Sequence, residues 1–335
     1  MLAMLDAIPV AVLVVAALLA GFIGLIWSAD RFVAGSAAIA RSFGLAPLII
    51  GLTIVSFGTS APEVMVSISA SLKDAGDLAV GNAIGSNIAN IGLVLGATTL
   101  AASIPVQNHI LRHELPILLA VTVMAGIFLW DARLTLVESL ILAASLIPAI
   151  YYLVRVKKQD LTPGEVAEEE ELISEMPRRT AFMWFMVGLI ALMLSSEVLV
   201  WGAKTAAEMA GVSPFIIGLT VIAIGTSLPE LAASMVSAIK GHHDIALGNI
   251  VGSNMFNLMA VMSVPGLFAP TTMEPAVFTR DYTVMLALTL LLTALAVQTL
   301  WLNRRSGGAT LGKMTGALLL AGYIAYYFVL FQTNS

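Results

Sequence analysis

The sequence predicts an all-α polytopic membrane protein of about ten transmembrane helices, built as two inverted-topology five-helix repeats. Three observations carry that expectation: the hydropathy of the chain, the placement of its basic residues, and an internal repeat at an offset of 167 residues.

Of the 335 residues, 59% are apolar and 11% charged, with a mean hydropathy of +0.95. A soluble protein carries about 25% charged residues, and so few charges cannot cover a water-facing surface. A soluble enzyme is excluded. The net charge of −5 excludes a nucleic-acid partner, which needs a basic excess. Cysteine is absent, which removes disulfides, thiolate metal sites and cysteine nucleophiles. The four histidines, two of them adjacent (His242, His243), leave little material for a zinc or iron site.

The first apolar run, 9–27, has no basic segment before it and no small-residue cleavage site after it, so it reads as a retained membrane helix. Apolar stretches near the ~20 residues needed to span a bilayer fall at 9–28, 44–71, 78–103, 112–130, 134–154, 181–203, 212–238, 245–268, 282–302 and 311–331. Gly, Pro, Ser and Asn interrupt the second, third, seventh and eighth, which argues against plain lipid-facing helices. The one long polar segment, 155–180, holds Lys157 and Lys158, the acidic run Glu168 to Glu171, and Arg178 and Arg179. It reads as a solvated linker between a first repeat at 1–154 and a second at 181–335. With ten spans, 12 of the 16 basic residues fall on the linker's side and Lys73, Arg133, Lys204 and Arg280 on the other. The positive-inside rule then places the linker in the cytoplasm and both termini outside a bacterial or archaeal cell membrane.

Shifted by 167 residues, G-L-T-I-V-S-F-G-T-S-A-P-E at 51–63 lies over G-L-T-V-I-A-I-G-T-S-L-P-E at 218–230. Likewise G-N-A-I-G-S-N-I-A-N at 81–90 lies over G-N-I-V-G-S-N-M-F-N at 248–257. Across 44–90 and 211–257, 22 of 47 positions are identical, including Glu, Asn, Pro and Thr, which chance matching of apolar sequence does not produce. Asp30 also matches Glu197 and Gly35 matches Gly202. Five spans per copy is an odd number, so the second copy enters the membrane from the opposite side. That architecture serves transport, with a binding site where broken helices of the two halves meet.

Glu63 and Glu230 lie mid-span, where a carboxylate costs at least about 2.5–3.5 kcal/mol and is a functional candidate by default. Neither span offers a central basic residue as partner. Pro62 and Pro229 bend the helix next to each acid. Thr59 and Glu63 are four residues apart, on one face with Ser60 beside them, and Thr226, Ser227 and Glu230 repeat the arrangement. Ser56 adds a hydroxyl one turn earlier, where the second copy has Ala223. Asn82, Ser86 and Asn90, and again Asn249, Ser253 and Asn257, form polar stripes on otherwise apolar spans. Asn82 and Asn249 read as packing partners of a neighbouring helix end, and the other four as ligands. The pooled groups are hard oxygen donors, of which Ca²⁺ takes about six to eight. Two carboxylates match one Ca²⁺, and Na⁺ or protons can replace it. An empty site with two buried charges is costly to move and a filled one is not, which is the rule of an antiporter.

These motifs resemble the α-repeats of the calcium/cation antiporter superfamily, most closely the prokaryotic sodium/calcium exchangers. The resemblance implies two inverted five-helix repeats, a cluster of ion sites at their interface, and alternating access by sliding of the first and sixth helices. It implies Ca²⁺ and Na⁺ as transported ions, no organic cofactor, and a single chain that supplies both halves and functions as a monomer. Carried over by motif position, the ligands are Ser56, Thr59, Ser60, Glu63, Ser86 and Asn90, with Ala223 (by its carbonyl), Thr226, Ser227, Glu230, Ser253 and Asn257. Asn257 stands where potassium-dependent members have an acid, which leans toward potassium independence. Asp30 and Glu197 would lie near the exits of the long first and sixth helices, as interfacial anchors. The competing expectation is a Ca²⁺/H⁺ antiporter in which Glu63 and Glu230 take up protons. An intramembrane hydrolase lacks a base beside its serine, and a channel needs a ring of sites.

Overall fold

A computed structural model describes residues 9–44, 47–160, 176–211, 223–302 and 309–334. Pro9, extended at φ −54° and ψ 132°, starts helix α1 at Val10–Ser42. At 33 residues α1 is about 50 Å long, well beyond the ~30 Å hydrocarbon core, so it must tilt. It outruns its apolar stretch because residues 29–40 are mainly small and aliphatic and bury against neighbouring helices. Helix α7, Arg178–Met209, starts after Pro177 in the same way and has 32 residues.

The other helices are α2 (Gly51–Thr59), α3 (Ala61–Ser71), α4 (Gly76–Ala101), α5 (Ile110–Leu129) and α6 (Leu136–Asp160) in the first half. The second half has α8 (Ala223–Thr226), α9 (Leu228–Ile239), α10 (His243–Phe268), α11 (Val277–Trp301) and α12 (Lys313–Asn334). Among the described residues eight helices are long and apolar enough to cross a membrane, or nine when the α2–α3 pair is one span bent by 51°. The chain is a multi-pass integral membrane protein. The expected seventh span, 212–238, lies partly outside the described residues; its described part is α8 and α9. The linker shortens, because α6 runs to Asp160 and α7 starts at Arg178, and the acidic run at 168–171 lies outside the described residues.

Helices α4 and α10 are central: 72% and 89% of their most apolar stretches are buried, against 17% and 22% in α1 and α7. One core joins α4, α5, α10, α11 and α12. A second joins α1 and α7 to the inner faces of α2 and α9. The α1–α7 contact rests on glycine. A Cβ at Gly188 would lie 2.4 Å from the Phe32 backbone nitrogen, and one at Gly35 2.4 Å from that of Phe185. Their absence lets the two backbones touch, the close approach that small residues allow in membranes. The Phe32 and Phe185 rings meet at 5.3 Å, and the Arg31 guanidinium lies 4.7 Å above Trp184.

Four two-residue strands join the halves. Strand β1 (Ile104–Pro105) pairs antiparallel with β4 (Thr310–Leu311), and β2 (Arg133–Leu134) with β3 (Thr271–Thr272). Each pairing links a strand before the linker to one after it.

Candidate ion-binding site

The site is built where two spans break. Helix α2 ends at Ser60 (φ −84°, ψ 8°), and Pro62 takes the first turn of α3, where its missing N–H costs nothing. Ser227 and Pro229 repeat this between α8 and α9. Glu63 and Glu230 therefore stand in the first turns of helices, where unpaired N–H groups favour a negative charge. The sequence alone gives a bend here but not the placement of both acids at helix starts. Both are fully buried. Among the described residues no lysine or arginine pairs with either.

Hydrogen bonds cross between the halves. Ser60 Oγ of the first half donates to Glu230 Oε1 of the second at 2.9 Å, while Ser86 Oγ donates to Glu63 Oε1 at 3.4 Å within the first half. Thr59 Oγ1 donates to Asn249 Oδ1 at 3.1 Å and lies 3.5 Å from Ser253 Oγ. The spacing of Thr59 and Glu63 predicts one shared face. The structure turns the Thr59 hydroxyl to α10 instead, because the break at Ser60 swings α3 away from the axis of α2. Asn82 Nδ2 donates to the Glu63 carbonyl at 3.2 Å and Asn249 Nδ2 to the Glu230 carbonyl at 3.5 Å, so both asparagines serve the broken helix ends. Asn249 also donates to Ser234 Oγ at 2.9 Å.

Several buried oxygens here have no protein partner among the described residues: Glu63 Oε2, Glu230 Oε2, Asn90 Oδ1, Asn257 Oδ1 and Ser227 Oγ. More than about 90% of buried polar groups in proteins are satisfied, so this concentration is unusual. Asn90 and Asn257 each open a π-helical turn, Asn90–Leu95 and Asn257–Val261, a widened geometry frequent at functional sites. Carboxylate, amide and hydroxyl oxygens without sulfur or imidazole suit a hard cation. The remaining expected ligands are Ser56, Thr226 and Ala223. Ser56 Oγ bends back onto its own helix, donating to the Leu52 carbonyl at 2.8 Å. Thr226 is half-buried at the end of α8, and Ala223 opens α8 with its side chain outside the described residues.

Sequence reasoning missed Asn87 and Asn254, identical in both copies. Asn87 Nδ2 donates to the Asn254 carbonyl at 3.2 Å, joining α4 to α10. Their identity at an offset of 167 residues was the available signal.

The model of a family described as sodium/calcium exchanger protein matches residues 13–155 and 180–332, nearly the whole chain and both halves of the site. The chain belongs to the sodium/calcium exchanger family. This exchanger is 43% identical over 317 residues to the putative antiporter CaxA of Alkalimonas amylolytica, covering 94% of this chain and 98% of that one. It is 29% identical over 349 residues to the sodium/calcium exchanger MaX1 of Methanosarcina acetivorans, covering 94% and 97%. Among solved structures, the sodium-calcium exchanger NCX_Mj soaked with zero Na⁺ and Ca²⁺ superposes with a TM-score of 0.79 at 30% identity, covering 96% and 99%. The family is one of membrane exchangers, not of enzymes.

Ser60→Ala removes the donor that reaches Glu230 across the repeat interface. A hydrogen bond to a charged group is worth about 1.5–3 kcal/mol, so ⁴⁵Ca²⁺ binding to the purified exchanger should weaken about tenfold or more. Equal affinity in the variant would remove Ser60 from the site.

Proposed function

We propose that this exchanger is a Na⁺/Ca²⁺ antiporter that moves several Na⁺ down their gradient to expel one Ca²⁺ by alternating access. One observation carries the reading. Glu63 and Glu230, from sequence-related halves, are both fully buried, Ser60 beside the first reaches the second, and among the described residues each acid keeps one buried oxygen without a protein partner. A cation supplies what those oxygens lack.

The ligand set is Glu63, Glu230, Thr59, Ser60, Ser86, Asn90, Thr226, Ser227, Ser253 and Asn257, with Ser56 and the Ala223 carbonyl at its edge. Asn257, an amide, leaves the site one carboxylate short of a potassium-dependent one. Ten spans in two inverted repeats, 1–154 and 181–335, fit the cross-pairing of the strands. β1 and β3 are 167 residues apart and each pairs with a strand of the other half. The reading puts the linker in the cytoplasm, both termini outside, and a complete site in one chain. If each cycle carries one net charge, a potential of 100 mV contributes about 2.3 kcal/mol.

The test is ⁴⁵Ca²⁺ uptake into vesicles loaded with Na⁺. Uptake should follow the outward Na⁺ gradient and ignore a pH jump imposed without Na⁺. Uptake driven by the pH jump alone would replace this reading with Ca²⁺/H⁺ exchange, in which the two glutamates carry protons.

A further inference from the structure

The 167-residue offset relates more than the site. It places Asp30 over Glu197, and Lys73 over Lys240. One of the two cross-half combinations is formed. Lys240, at the end of α9, pairs with Asp30 on α1, with side chains 35% and 38% exposed. The related residues, Lys73 just past the end of α3 and Glu197 on α7, are both exposed, and among the described residues neither makes an ion pair. Helices α1 and α7 form one unit through their glycine contacts, with a core distinct from that of α4, α5 and α10 to α12. Asp30–Lys240 therefore ties that unit to the end of α9 at one membrane face, and Glu197–Lys73 would tie it to the end of α3 at the other.

We infer that Asp30–Lys240 and Glu197–Lys73 are alternating latches, each closed in one access state and open in the other. The inference rests on the alternating-access reading above and adds the residues that hold its two end states. In an inverted repeat the two latches lie on opposite faces, so a slide of α1 and α7 that parts one brings the other together. The charges suit the task. Asp30 is the only acid in α1, and Lys73 and Lys240 are identical although the residues that follow them differ. A half-exposed ion pair shifts an equilibrium only about two- to fivefold, enough to bias a state and weak enough to open every cycle.

The natural chain has no cysteine, so paired substitutions report without background. The full chain in vesicles would carry either Asp30→Cys with Lys240→Cys, or Glu197→Cys with Lys73→Cys. The first pair should cross-link under oxidant without transported ions, and the second only once Na⁺ and Ca²⁺ let the exchanger turn over. Either cross-link should stop exchange, and reductant should restore it, while ⁴⁵Ca²⁺ binding persists. A second pair that never cross-links, or exchange that continues when either is closed, overturns the latches. Charge exchange is an independent check. Asp30→Lys and Lys240→Asp should each change the exchange rate about two- to fivefold, and their combination should restore it; no rescue overturns the Asp30–Lys240 latch. Loss of ⁴⁵Ca²⁺ binding in the unmutated chain would instead reject the Na⁺/Ca²⁺ reading itself.

Discussion

Glu63→Gln and Glu230→Gln should each abolish Ca²⁺ exchange while the protein still inserts and folds. Glutamine keeps the volume and one acceptor oxygen at each broken helix start but removes the charge that matches a divalent ion. Removing a single carboxylate leaves one negative charge against two positive ones in a buried, low-dielectric site, where such an imbalance costs several kcal/mol. The affinity for Ca²⁺ should fall by at least about a hundredfold, measured as ⁴⁵Ca²⁺ binding and as flux in vesicles. The folded state should not suffer. A fully buried carboxylate without a basic partner is costly to hold, and neutralising one removes that cost, so thermal stability without Ca²⁺ should stay level or rise. Exchange retained in both variants would remove the site assignment.

The second large effect concerns packing. Gly188→Leu should force α1 and α7 apart, because the added Cβ meets the Phe32 backbone nitrogen at 2.4 Å and the Phe32 Cα at 2.7 Å. Backbone cannot turn aside as a flexible side chain can. Overpacking of this kind costs about 1–3 kcal/mol, and a drop of about 1–4 °C in Tm is expected in detergent for a chain of this length. Gly312→Ala is the control, since its nearest neighbour beyond the adjoining residues, Ser103 Oγ, lies at 3.7 Å. The edge-on contact of Trp27 with Trp184 at 6.3 Å lies at the same interface, so tryptophan fluorescence should report the separation directly. An unchanged Tm with unchanged fluorescence would mean that the two helices are not held by this contact.

Much of this was legible in the sequence for a physical reason. A carboxylate, a proline and an asparagine stripe inside apolar runs are expensive in a membrane, so their recurrence at a fixed offset marks a shared function. The break at Ser60 followed from Pro62, and the repeated asparagine stripes marked Asn82 and Asn249 as partners of a neighbouring helix end. The direction of the hydroxyls did not follow. Helical periodicity places Thr59 with Glu63, but the 51° bend hands Thr59 to Asn249 and Ser60 to Glu230. Such contacts between residues nearly 200 positions apart depend on how the two halves dock, which local spacing does not encode. Helix length was hidden as well. Hydropathy ends the first span near residue 28, while small residues carry α1 on to Ser42 in protein, not lipid, surroundings.

The short strand pairs have a mechanical meaning. By clasping each half to the other at two places, β1–β4 and β2–β3 tie the helices they border, α4 to α6 and α10 to α12, into one chassis. Under the proposed alternating access, helices α1 and α7, which none of these strands borders, are the carriage. Cargo held by the α4 and α10 ligands of that chassis would then stay still while the carriage travels past it.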